Sequence, residues 1–225
     1  MITRAEFEKK AALMQHGCIY EENIGIGVFR SAALAAKPGA KHGFTARGGG
    51  VSKGPFASLN LSFGKVDDPV NVRENFLRLC RAENLVYGEL AVVNFVHGNN
   101  VIAVDSAFCG RGFDKELLPP CDGFITNDPG ITLVTDHADC GCIFAFDPVK
   151  RAVGIAHAGW KGTLGRIGGK LIALMQSEYG CDPQDIIAST GPCICHECYE
   201  VDEELAARFS REFDTDVCSY PGKPG

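Results

Sequence analysis

Three residues of this 225-residue chain combine metal-ligand chemistry with positions where side chains can converge. They are His97 in Val96-His97-Gly98, Cys140 in Ala138-Asp139-Cys140-Gly141 and His157 in His157-Ala158-Gly159-Trp160, each expected where a strand meets a loop. Two imidazole nitrogens and one thiolate match zinc and leave the fourth tetrahedral position open, as a catalytic site requires. Taken singly, each also has a structural reading, as a hydrogen-bonded histidine or a cysteine acting as a small buried hydrophobe. Cys193, Cys195 and Cys198 with His196 have the close spacing of a zinc knuckle. They lack a second, distant pair of ligands and read as loop thiols.

Two stretches suit an anion. In Thr45-Ala46-Arg47-Gly48-Gly49-Gly50-Val51-Ser52 the glycines, Gly49 central among them, let backbone amides turn toward phosphate, and Arg47 can bind it bidentately. The same stretch also fits a solvent-exposed β turn. Gly159-Trp160-Lys161-Gly162-Thr163 sets amides, a lysine and a helix start directly after His157. Trp160 in isolation reads as a core or rim aromatic.

These residues need elements to hold them. Asp68-Pro69 followed by Val72, Phe76 and Leu79 predicts a capped helix to about Arg81. Ala91 to Val96, the turn His97-Gly98-Asn99-Asn100 and Val101 to Val104 read as strand, turn, strand, with His97 ending the first. Ile131 to Val134, Cys142 to Phe146 and Ala152 to Ala156 read as neighbouring strands of one buried sheet. Leu164, Ile167, Leu171, Leu174 and Met175 predict a helix from Thr163 to Gly180. A strand over Ile186-Ile187-Ala188 and a helix capped by Asp202 complete a mixed α and β pattern.

Composition narrows the partners. With 45% hydrophobic and 22% charged residues the chain is an ordinary globular one, and its length makes one domain over residues 1–225 the default. A formal charge of -6 argues against a nucleic-acid-binding face. No apolar run approaches the roughly 20 residues that span a bilayer, and Met1 to Lys10 lacks a signal-like apolar region. Eleven cysteines, an odd number, then read as mostly free thiols in a reduced, cytoplasmic protein.

Several stretches together carry a resemblance: His42 to Ser62 (HGFTARGGGVSKGPFASLNLS), Val96-His97-Gly98, Asp122-Gly123, Ala138-Asp139-Cys140, His157 to Gly162, Gly191-Pro192 and Cys198-Tyr199-Glu200-Val201. They resemble the YfiH and YlmD family of laccase-domain proteins, once called multicopper polyphenol oxidases, over nearly all of the chain from about residue 42. The resemblance implies zinc, or copper, bound by His97, Cys140 and His157. It implies an α+β fold, a four-layer α/β/β/α sandwich with mixed sheets shared with cysteine hydrolases that include toxin deamidases. The implied activity is purine nucleoside phosphorylase acting on adenosine, inosine and methylthioadenosine, with adenosine deamination as well. Two departures stand out. Phe95 replaces a glutamine common before the VHG motif, and relatives continue past the equivalent of Pro221 to Gly225, so C-terminal truncation is expected.

Under that resemblance, deamination needs a metal-activated water at C6 of adenine and a proton carrier. Asp139 is the nearest acidic candidate in sequence, with a ligand-orienting role as its alternative. Phosphorolysis needs phosphate neutralised as it attacks C1′, a task for Arg47 assisted by Lys161 and the amides of Gly159 to Gly162, with Trp160 alongside. Three readings compete. In a metal-free cysteine hydrolase Cys140 is nucleophile and His157 base. Copper-dependent phenol oxidation asks for more than six histidines. The third is a non-catalytic metal-binding module. The expected partners are purine nucleosides and phosphate, with no nucleic acid or membrane, for a monomer or weak oligomer.

Overall fold

Two capped helices form where local signals place them. In the computed structural model, which describes residues 17–63, 67–111 and 119–214, the helices are α1 (Ala32–Ala35), α2 (Pro69–Glu83), α3 (Trp160–Leu164), α4 (Ile167–Tyr179) and α5 (Glu203–Phe213). The readings of Met1 to Lys10 and of Pro221 to Gly225 lie outside the described residues. Asp68 caps α2 by accepting from Val70 N at 2.9 Å, and Asp202 caps α5 by accepting from Leu205 N at 2.7 Å. Each carboxylate satisfies an amide that the first helical turn leaves unpaired.

The strands are β1 (Cys18–Asn23), β2 (Ile26–Ser31), β3 (Phe44–Thr45), β4 (Leu90–Val92), β5 (Val101–Ala103), β6 (Gly123–Thr126), β7 (Thr132–Val134), β8 (Gly141–Asp147), β9 (Ala152–Ala158) and β10 (Ile187–Thr190). The main sheet has the order β10-β8-β9-β6-β5, antiparallel except for the parallel pair β5 and β6. Its centre is the β8-β9 hairpin, in which Asp147 Oδ1 accepts from Val149 N and Lys150 N at 2.8 and 2.9 Å across the turn. Alternation sorts its residues onto two faces. Ala152, Gly154 and Ala156 meet Ile167, Leu171 and Met175 of α4, small residues under a large apolar stripe. Phe124, Cys142, Phe144, Ile155 and His157 face the other way.

That second face is covered by the β1-β2-β3 and β4-β7 sheets, and these are backed by α2. Phe124 and Ile155 pack with Val93 and Leu133, and Phe144 with Phe44. Val72, Phe76 and Cys80 of α2 pack on Leu90, Val92 and Val134, and Leu79 with Ala82 on Ile26 and Val28. Helix, sheet, sheets and helix therefore succeed one another, the α+β arrangement with mixed sheets that the resemblance implied.

Three local expectations change. Residues 131–134 do not join the β8-β9 sheet; β7 pairs in parallel with β4 in a sheet of its own. The strand expected through Val96 ends at Val92, so His97 stands in a loop rather than at a strand end, with φ of 56°. The single helix expected over 163–180 is two helices, because Arg166 is left-handed (φ 58°) and Asn99 Nδ2 donates to the Gly165 carbonyl at 2.6 Å. A partner 66 residues away in sequence thus supplies a bond that continued helix would have made locally.

Candidate metal centre and its cavity

His97, Cys140 and His157 do converge: their ligand atoms all lie within 4.8 Å of one another. Three different elements bring them there. His157 is the next-to-last residue of β9, on the face away from α4, and is 2% exposed. Cys140 immediately precedes β8, whose first pairs set Gly141 opposite Ala158 and Cys142 opposite His157. His97 stands on the loop after β4, which is fastened by Gly98 N donating to Asp122 Oδ2 at 2.8 Å. Gly162 lets that loop approach, since a Cβ there would lie 2.6 Å from the Gly98 carbonyl.

The surroundings suit a cation. The rings of His97 and His157 stand perpendicular with centroids 5.0 Å apart, and Phe95 packs on both at 5.0 and 4.7 Å. A Cβ on Gly159 would meet Cys140 Sγ at 3.3 Å, His157 Cε1 at 3.5 Å and His97 Cδ2 at 3.6 Å. Glycine therefore keeps open a space onto which all three residues face. Behind His157 lies the fully buried Asp122, its Oδ1 3.6 Å from Nδ1, and among the described residues neither atom has a hydrogen-bond partner. A carboxylate behind a ligating imidazole fixes the ring and the tautomer. Burial pushes the His157 pKa below its ordinary value, reinforced by His97 and opposed by Asp122, which favours the neutral ligand form. Burial raises the Cys140 thiol, as do Asp139 and Cys193. A bound divalent cation reverses that direction by stabilising the thiolate. The donor set, the open space and the buried carboxylate together fit zinc.

The cluster opens on a cavity of ≈ 1080 Å³ that Arg47, Phe95, Asn60, His137 and Asp139 also line. Its volume is at the upper end for small-molecule sites. Arg47 thus shares one cavity with the cluster, and Asp139, exposed beside Cys140, does too. Gly49 has φ of 89° and packs on the turn between β1 and β2, so close approach accounts for a glycine there. Trp160 and Lys161 line a different cleft of ≈ 690 Å³ with Arg208 and Arg211, where the Arg208 guanidinium lies 5.5 Å from the Trp160 ring. The cysteines 193, 195 and 198 are exposed, and among the described residues they join no group of three metal-capable side chains.

Two site residues escaped the sequence reading. Asp122 was visible only as part of Asp122-Gly123, although a carboxylate heading an apolar strand is itself a signal. His137 lies against His157 at 5.2 Å, with Nε2 2.8 Å from Thr135 Oγ1. Burial, then the charge of His157, push its pKa down to about 4, so it is a neutral hydrogen-bonding group on the cavity wall.

Fold and site together define the class: a mixed α/β protein with a metal-capable His, Cys and His cluster in a small-molecule cavity. A profile of the multi-copper polyphenol oxidoreductase laccase family matches residues 41–223, and the chain belongs to that family. A purine nucleoside phosphorylase of Deinococcus radiodurans is 40% identical over 185 residues, covering 82% of this chain and 67% of its own length. The purine nucleoside phosphorylase YlmD of Bacillus subtilis is 36% identical over 165 residues, 72% of this chain and 59% of its own. The crystal structure of YlmD from Geobacillus stearothermophilus matches with a TM-score of 0.80 at 34% identity, covering 86% of this chain and 72% of that one. The chain therefore spans 59–67% of the length of these two curated relatives. No helix among the described residues is long and apolar enough to cross a membrane.

Proposed function

We propose that the protein is a purine nucleoside phosphorylase whose reaction takes place beside a metal held by His97, Cys140 and His157. The observation that carries this reading is the convergence of those side chains on the cavity that Arg47 lines, in a chain whose relatives bear that enzyme's name. The donor set suits zinc, with copper as the alternative. When bound, the metal supplies Lewis acidity and an activated nucleophile near neutral pH.

The chain's own residues do the rest. Asp122 holds the His157 ring, and Phe95 packs against both imidazoles, which touch each other edge-on. Arg47 neutralises phosphate as its oxygen attacks C1′ and the bond to the purine nitrogen breaks. Asp139 is the acid–base group at the cavity, taking a proton from the incoming phosphate and passing it to the leaving base, or from the incoming water to the leaving ammonia when adenosine is deaminated. The cavity leaves room for inosine or for the methylthio group of methylthioadenosine. Lys161 and Trp160, on the other cleft, take no part. A cysteine hydrolase built on Cys140 and His157 gives His97 no task, and its convergence favours the metal. Copper-dependent phenol oxidation meets the same shortage of histidines as before, six in all.

The test is incubation of zinc-loaded protein with adenosine, with and without phosphate, followed by chromatography of adenine, inosine and hypoxanthine. Adenine formed only with phosphate supports phosphorolysis, and inosine formed without it supports deamination. No product under either condition overturns the nucleoside reading.

A further inference from the structure

The loop after β10 carries three thiols for which the proposed reaction has no use, and one of them stands beside the site. β10 pairs antiparallel with β8, Ile187 opposite Phe146 and Thr190 opposite Ile143. Beyond the strand ends the two segments stay tied by two single bonds, Gly191 N donating to the Cys142 carbonyl at 2.9 Å and Ile194 N to the Asp139 carbonyl at 3.0 Å. Between those two bonds lie Cys193 on one segment and Cys140 on the other. A Cβ on Gly191 would lie 3.2 Å from Cys142 Cβ, so the two segments are closely apposed where they leave the sheet.

Opposed residues of an antiparallel pair have Cβ atoms about 4.5–5.5 Å apart. A disulfide needs about 3.5–4.5 Å, so a small shift of an irregular loop is enough. Cys193 is exposed and Cys140 half-buried, within reach of a small oxidant. Among the described residues Cys193 is not part of the three-residue cluster.

We propose that Cys140 and Cys193 are a peroxide-sensitive thiol pair whose disulfide withdraws the sulfur ligand from the metal centre. Hydrogen peroxide first converts the Cys193 thiol to a sulfenic acid and releases one water; the Cys140 sulfur then attacks the Cys193 sulfur, and a second water leaves. The two sulfurs lose two electrons in all, and the O–O bond of the peroxide accepts them. The pairing rests on the two bonds that flank the cysteines, and its consequence for the metal rests on Cys140 being a ligand as proposed above.

The test uses the full chain, metal-free and zinc-loaded. After peroxide treatment and alkylation, non-reducing digestion and mass spectrometry of the metal-free protein should show a Cys140 to Cys193 cross-linked peptide, reversed by dithiothreitol and missing in Cys193→Ser. A chromophoric chelator should report peroxide-driven zinc release that is several-fold slower in Cys193→Ser. With cobalt replacing zinc, the thiolate charge-transfer band should be the same in both proteins. Pairing of Cys193 with Cys195 or Cys198 while Cys140 stays free overturns the proposal. So does a cobalt band cut to about half in Cys193→Ser, which would make Cys193 a fourth ligand. A cross-link in a protein that binds no zinc refutes the metal reading and the switch's consequence but leaves the thiol pair; zinc binding without a cross-link refutes the pair alone.

Discussion

Asp122 and His157 face each other in the interior at 3.6 Å, Oδ1 toward Nδ1, while the other carboxylate oxygen accepts Gly98 N–H at 2.8 Å. One buried carboxylate therefore touches both segments that bear the histidines, and His157 N–H donates to the Asp122 carbonyl at 2.7 Å besides. Asp122→Asn keeps the shape and removes the charge facing the imidazole. Zinc affinity, measured by competition with a chromophoric chelator, is expected to fall by about 10–100-fold. An unchanged affinity would remove Asp122 from the metal's support.

Gly159 tests the space itself. A methyl group at 3.3–3.6 Å from Cys140, His157 and His97 crowds the volume the ion would fill. Gly159→Ala should lower bound zinc per chain, read by elemental analysis, while the far-ultraviolet circular dichroism stays as in the parent. Full metal occupancy would show that the ligands meet elsewhere.

Arg47 is argued to hold phosphate and to stand apart from the metal ligands. Arg47→Ala should raise the KM for phosphate by an order of magnitude or more, since a charge-assisted bidentate contact is worth about 1.5–3 kcal/mol. Zinc content should not change. Parallel losses of metal and activity would defeat the assignment.

Two substitutions in α4 should move stability in opposite directions. Gly169 is exposed and a Cβ there meets nothing within 4 Å, so Gly169→Ala should stabilise by about 0.5–1 kcal/mol. Leu171 is 0% exposed against Ala152, Gly154 and Ala156, so Leu171→Ala should cost about 2–5 kcal/mol. Denaturant midpoints at a common pH measure both, and a neutral Leu171→Ala would contradict the packing of α4 on the main sheet.

Acid stability has a contribution from His42. Burial, then the nearby Arg30 charge, hold its pKa below the ordinary 6.5, and Ser31 N–H donates to its Nε2 at 2.8 Å. Above about pH 6.5 the ring is neutral in folded and unfolded chains and the contribution is fully present. As the pH falls below that value the unfolded chain takes up the proton first, and stability is lost until the folded ring titrates at its lower pKa. Unfolding free energies between pH 7 and 5 should drop less steeply in His42→Gln than in the parent; equal slopes would place the acid sensitivity elsewhere.

Local chemistry was legible in the order of the residues. Asp68 and Pro69 announced the start of α2, Asp202 that of α5, and the apolar spacing of Ile167, Leu171 and Met175 the face that α4 buries. Such signals act over one or two helical turns and need no partner from elsewhere in the chain. The types of His97, Cys140 and His157 pointed to a metal, and the resemblance singled them out. Their convergence was decided by contacts 17 to 60 residues apart in the chain, which no window of spacing contains.

The remainder belongs to tertiary structure. Residues 132–134 are as apolar as a strand of the main sheet, yet β7 pairs with β4, because α2 offers the β4-β7 pair its own apolar cover in Val72, Phe76 and Cys80. The interruption between α3 and α4 is unreadable from 163–180 alone, since Asn99 makes it. The sequence by itself determined which residues can ligate, cap and pack, because those are properties of side chains. Tertiary structure decided that Arg47 shares a cavity with His97, Cys140 and His157 while Lys161 does not, and that Asp122 backs His157. Each of these is a meeting of distant segments, set by the pairing of strands and the burial of faces that only the folded chain possesses.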